Sequence, residues 1–162
     1  MSDWQFHATP PAVEELLRGG GEFVQPARIL EDLGETQAVA LPPGSPHSIA
    51  QIVAHMHYWQ QVNIAKANGQ QAPRPARLDD TFVAPLPGTW RHLVNEFLAG
   101  IETCQRLARE KADATSPDRD DTSLDYDLAE SALHNAYHCR QIVLLRRIQG
   151  LRPPAGGDMN DF

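Results

Sequence analysis

Between two stretches of strong helical periodicity lies a connection, residues 70–87, that carries Pro73, Pro75, Pro85 and Pro87 and shows no alternation of apolar and polar positions. Four prolines exclude a helix interior, because each removes a backbone donor and crowds the preceding turn. Loops between adjacent antiparallel helices usually run about 2 to 8 residues, so a connection of this length implies a crossover. On its N-terminal side Ile49, Ile52, Val53, Met56, Trp59 and Val62 recur at three-and-four spacing up to Gly69, behind Ser48 as an N-cap. On its C-terminal side Trp90, Leu93, Val94, Phe97, Leu98, Ile101 and Leu107 repeat the pattern, from Thr89 as a cap to Lys111.

The rest of the chain reads in the same way. Thr9-Pro10-Pro11 can cap and open a short helix through Arg18, ended by Gly19-Gly20-Gly21. A second piece is expected from Val24 to Leu33, stopped by Gly34, and residues 41–47 form a loop by composition. The polar segment 113–122 reads as a surface loop. Ser123 or Asp125 then opens a last helix carrying Leu128, His134, His138, Ile142, Leu145 and Ile148 up to Gly150, and residues 151–162 form a non-helical tail. The expected fold is all-α: a four-helix bundle with a long crossover between helices 2 and 3 and a short extra N-terminal helix, one domain spanning 1–162.

A chain of 162 residues is long enough to bury a core without staples. Its 14 basic and 21 acidic residues give a formal charge of −7, which argues against a nucleic-acid partner. Arg140, Arg146 and Arg147 complement the dipole at the end of the last helix. Cys104 and Cys139 are too few for a disulfide scaffold and are expected to be small buried residues. The start has no basic segment followed by an apolar run, and no window approaches the roughly 18 apolar residues of a membrane span. A cytoplasmic location without membrane association is the expectation.

Histidine placement carries the chemistry. His134 and His138 are four apart, so on a helix their rings share a face and could share an ion. His55 interrupts the apolar stripe of its own helix, where an unpartnered imidazole is costly. On pattern alone the pair also fits a solvated polar face, beside Asp127, Glu130, Ser131 and Gln141, and His55 also fits a core histidine held by one hydrogen bond. His7, His47, His57 and His92 are given no site role. Neutral imidazole suits zinc, nickel, iron or copper, and three such ligands leave room for a water of lowered pKa. Nucleophile elbows, phosphate loops and His-Glu-x-x-His are absent, so no general base is built into the motif.

The segment from His134 to Gly150, His-Asn-Ala-Tyr-His-Cys-Arg-Gln-Ile-Val-Leu-Leu-Arg-Arg-Ile-Gln-Gly, resembles the C-terminal signature of the DinB/YfiT-like proteins. In that signature a His-x-x-x-His pair precedes a Gly-Gln-Ile and a Leu-Arg run; here Arg140 replaces the small residue and is expected to reach solvent or the mouth of the site. Ser48 to Trp59 is similar to the family's second-helix signature, which selects His55 over His57. The likeness covers residues 22 to 158, including the tail Pro153-Pro-Ala-Gly-Gly-Asp158. It implies a metal held by His55, His134 and His138 at one end of the bundle, and a homodimer. Members of known activity include thiol-dependent S-transferases and isomerases, and others are assigned as metal-dependent hydrolases.

The expected function is therefore a metal-dependent enzyme that activates a water or a low-molecular-weight thiol toward a small-molecule substrate. Zinc or nickel is the expected metal, with iron or manganese as alternatives. The competing expectation is a non-catalytic metal-binding or structural bundle, because Asp127, Glu130 and Tyr137 qualify as bases only by proximity and no catalytic residue is assigned.

Overall fold

The computed structural model describes residues 10–19, 24–72, 74–113 and 122–151. They form six α-helices, α1 (Pro10–Arg18), α2 (Pro26–Leu30), α3 (Glu35–Val39), α4 (Ile49–Ala67), α5 (Trp90–Asp113) and α6 (Thr122–Ile148), with one 3-10 turn at Leu78–Thr81. The expected all-α bundle and its crossover are observed. The expected loop falls mostly at residues 114–121 and the tail at 152–162, outside the described residues.

Capping chemistry sets the ends of α4. The Ser48 hydroxyl accepts from the Gln51 backbone N–H at 3.2 Å while the Gln51 side chain accepts from the Ser48 N–H at 2.9 Å, a reciprocal pair that satisfies two otherwise orphaned donors. Gly69, at φ 69°, takes the left-handed conformation that ends the helix.

The helices pack as a square. α1 and α4 each lie against α5 and α6, so α1 sits diagonally from α4. The short N-terminal helix thus occupies a corner of the bundle. Register along α4 gives the directions of its neighbours. Gln60 meets Gly100, where a Cβ would stand 1.9 Å from the Gln60 Oε1, and Ile64 and Ala67 pack in one cluster with Leu107. α4 and α5 therefore run parallel. Lys66 pairs with Asp127 at 3.0 Å, whereas His55 meets His134, so α6 runs antiparallel to α4. Parallel neighbours cannot be joined by a tight turn, and the chain from Asn68 to Thr89 must travel back along the bundle before α5 begins. One apolar cluster, around Ile49, Val53, Phe97 and Ile142, fills the end beside that return; a second, around Val13, Leu17, Cys104 and Leu128, fills the other end.

The segment 24–33 departs from its expected form. Its helix ends at Leu30, Asp32 adopts φ 57°, and Gly34 opens α3 instead of closing α2. Tertiary bonds replace the missing helical ones. The buried Arg146 guanidinium of α6 donates to the carbonyls of Ile29 at 2.7 Å and Glu31 at 2.9 Å, and the Trp90 indole N–H donates to the Leu33 carbonyl at 2.8 Å. Replacing Arg146 by Met keeps an apolar stem but strands both carbonyls. The expected loss is about 1–3 kcal/mol, read as a thermal midpoint lower by roughly 3–10 °C with helical circular dichroism retained below it. An unchanged midpoint would show that the clamp contributes nothing.

Candidate metal centre

His55 stands one turn after Ile52 on α4, on the face turned toward α6, and the four-residue spacing of His134 and His138 on α6 brings both rings to it. One ligand atom from each of the three lies within 4.8 Å of the others. The closest pair, His55 Nε2 and His134 Nε2, is 3.0 Å apart. That pair meets the spacing of about 4 Å that converging ligands require, and the full set is somewhat more open. His55 and His138 are buried and His134 is half-buried. The three histidines singled out by the sequence are thus brought together, and the group contains no carboxylate and no cysteine among the described residues.

Neighbouring groups fix which nitrogen is free on two of the rings. Thr81 Oγ1 donates to the Leu78 carbonyl at 2.7 Å, so toward His55 Nδ1 it can only accept, and Nδ1 carries the proton. His138 Nδ1 faces Gln141 Oε1 at 2.7 Å, an acceptor, and carries its proton there too. Both rings are left with an Nε2 lone pair. His55 Nε2 and His134 Nε2 share one proton between them, which a cation bound by both rings can replace.

Electrostatics favour the neutral rings that metal binding needs. Burial, and then the proximity of His138, His134 and His47, lowers the His55 pKa from 6.5 to about 3. Burial, and then His138, lowers His134 to about 4. Burial also lowers His138, against the opposing effect of its bond to Gln141.

Aromatic rings cover the cluster. Phe82 stacks on His55 at 3.9 Å between centroids, and His47 stacks on the far side of Phe82 at 3.8 Å. Trp59 lies edge-to-face with His55 at 6.5 Å between centroids, and the Tyr137 ring stands 5.0 Å from His138 by the same measure. His47, given no role by the sequence, therefore belongs to the outer wall of the site. His57 faces α5 near Glu96 and His92 instead, where burial lowers its pKa. Cys104 and Cys139 are buried free thiols pushed up to about 12 by that burial. Of the proposed bases, Asp127 is tied to Lys66 about two turns from His134, Glu130 is exposed, and Tyr137 offers its ring to His138. Arg140 is exposed, as expected.

Thr81, Phe82, His47 and Gln141 escaped the sequence reading. Only Gln141 had a local signal, its position one turn after His138 on the same face.

A helical bundle that converges three neutral imidazoles at one end defines a protein with a possible tri-histidine metal site. Residues 27–142 match the DinB superfamily, and the chain belongs to it. Comparisons with curated proteins and with solved structures gave no match. No helix among the described residues is long and apolar enough to cross a membrane.

The lowered pKa values predict the acid response of chelator-treated protein. Because the folded-state values of His55 and His134 lie below the 6.5 of an unfolded histidine, the unfolded chain takes up protons first as pH falls. Their contribution to stability is whole above about pH 6.5 and is lost as pH falls from there through about 4 for His134 and about 3 for His55. The thermal midpoint should drop across that window, and His134→Gln should flatten the drop. Identical pH profiles for the two proteins would contradict the shifts.

Proposed function

We propose that His55, His134 and His138 hold a divalent metal ion, zinc or nickel before iron or manganese, and that the protein is a metal-dependent enzyme acting on a small molecule through a water or a low-molecular-weight thiol. The observation that carries this reading is the pair of Nδ1–H bonds, to Thr81 and Gln141, that leaves the Nε2 atoms of His55 and His138 unprotonated beside His134. Histidine ligands characteristically donate their other N–H to such an oxygen. Three uncharged donors leave an ion its full double charge; when bound, it supplies a lowered pKa to a water or thiol at an open position. The chain's own part is to hold the rings: Thr81 and Gln141 orient two of them, and Phe82 keeps water from the His55 face.

A second reading, a non-catalytic metal-binding or structural bundle, is favoured by one feature: among the described residues no carboxylate joins the three histidines to act as a base for proton transfer. A homodimer belongs to the proposal through the family resemblance, and a cytoplasmic location through the sequence expectation. Exposed Leu133 and Tyr137, one turn apart on α6, offer apolar surface to a second copy.

Elemental analysis of protein purified without a nickel column should find close to one metal ion per chain. His138→Ala should lose metal and activity together, while Thr81→Val and Gln141→Leu should keep the ligands and weaken metal affinity by about 10–100-fold. Chelation should lower the melting temperature and leave helical circular dichroism largely intact, since the bundle has its own core. Consumption of an electrophile with a thiol, set against ester or amide hydrolysis without one, separates the transferase from the hydrolase. Full turnover by a variant that holds no metal would end the enzyme reading, and metal retained at the wild-type level by His138→Ala would end the ligand assignment.

A further inference from the structure

Beside the histidine cluster, loop 43–47, α4 and the C-terminal half of α6 enclose a recess of about 280 Å3. Its wall is apolar, with Ile52 from α4 and Leu144, Leu145 and Ile148 from α6. Ser45, His47 and Gln141 are its polar lining side chains, and two of them link the recess to the histidines: His47 is stacked on the Phe82 ring that covers His55, and Gln141 accepts the His138 Nδ1–H. Ile52 lies one turn before His55 and Gln141 one turn after His138, so the recess begins about 5 Å along each helix from the cluster.

We propose that this recess is the subsite for the body of the substrate, taking the uncharged aryl or short alkyl portion of a small molecule whose polar end lies at the Gln141 amide, beside His138. The proposal rests on the metal-centre reading for what happens at that polar end, but not for binding in the recess. Four observations select the ligand class. The volume suits on the order of a dozen non-hydrogen atoms, which is small for a ligand pocket and far too narrow for a helix about 10 Å across. Among the described residues no Asp, Glu, Lys or Arg lines it, so a charged body would lose hydration without gaining a partner there. The Gln141 Oε1 is engaged by His138, which leaves its amide NH2 as the donor for a ligand oxygen. Leu144 and Ile148, 56 % and 53 % exposed, form an open rim through which a small molecule can enter.

The same exposure makes the rim a place to test. Tryptophan at position 144 or 148 fills the recess from outside and leaves the buried Ile52 and Leu145 undisturbed. The probes are 4-butylphenol, neutral with one oxygen, and 4-butylbenzoate, its anionic counterpart, titrated by NMR. Measurements on chelator-treated protein keep the carboxylate probe from binding a metal directly. The phenol should bind wild type at one site, with and without zinc, and the benzoate should bind about tenfold more weakly or worse. Leu144→Trp and Ile148→Trp should each weaken the phenol by about tenfold or more while zinc content and helical circular dichroism stay at wild-type values. Failure of the phenol to bind wild type, equal binding by both tryptophan variants, or a preference for the benzoate would overturn the proposal. Protein that binds the phenol as expected but never holds zinc would uphold the recess and sink only the metal-centre reading; the reverse pattern would sink only the recess.

Discussion

The parallel direction of α4 and α5 is the constraint from which the rest of the site follows. Neighbours that run the same way need a connection that returns along the whole length of the first helix, and here that return, from Asn68 to Thr89, passes the N-terminal half of α4. It is anchored there by the Gln51 side chain, which donates to the Phe82 carbonyl at 3.2 Å. The 3-10 turn at its centre sets the Thr81 hydroxyl against His55 and the Phe82 ring over it. Without the crossover the three histidines would keep their helical positions, but His55 would lose its proton acceptor and its cover.

Burying three imidazoles side by side is costly unless they are uncharged and partnered, and each neighbour contributes to both conditions. Burial depresses the pKa values, Thr81 and Gln141 accept hydrogen bonds from the Nδ1–H groups of His55 and His138, and the stacked rings of Phe82 and His47 shield one side. The result is two unprotonated imidazole nitrogens, on His55 and His138, readied before any ligand arrives. Readiness of this kind raises affinity by lowering the ordering that binding requires. An apolar recess lies next to the cluster.

Much of this architecture could be read from periodicity and caps. Ile49–Val62 with Ser48 in front and Gly69 behind located α4 to within a residue, and the clean stripe made His55 conspicuous. The four-residue spacing of His134 and His138 gave their common face, although only the folded chain shows that this face turns inward to His55. Short elements were harder. The break after Leu30 depends on Arg146, more than a hundred residues away, and α3 is five residues long with only Ala38 buried, below the length at which a repeat becomes visible. Thr81, Phe82 and His47 carry no local signature at all, because their role arises from where the crossover lands. His47 reads as an ordinary loop residue beside the cap of α4, and Gln141 fits a solvated face in the sequence, whereas its side chain bonds His138 in the fold.

The central claim, that the fold presents unprotonated Nε2 atoms of buried neutral histidines to a common point, is tested most directly by long-range 1H–15N NMR of the imidazole rings during a zinc titration of chelator-treated protein at neutral pH. The account predicts Nδ1–H tautomers for His55 and His138 before zinc is added. One equivalent should then shift the Nε2 resonances of both, together with a ring nitrogen of His134, and leave the two Nδ1 protons in place. Zinc that leaves these rings unchanged, or rings that begin as imidazolium or as Nε2–H tautomers at His55 and His138, would contradict it.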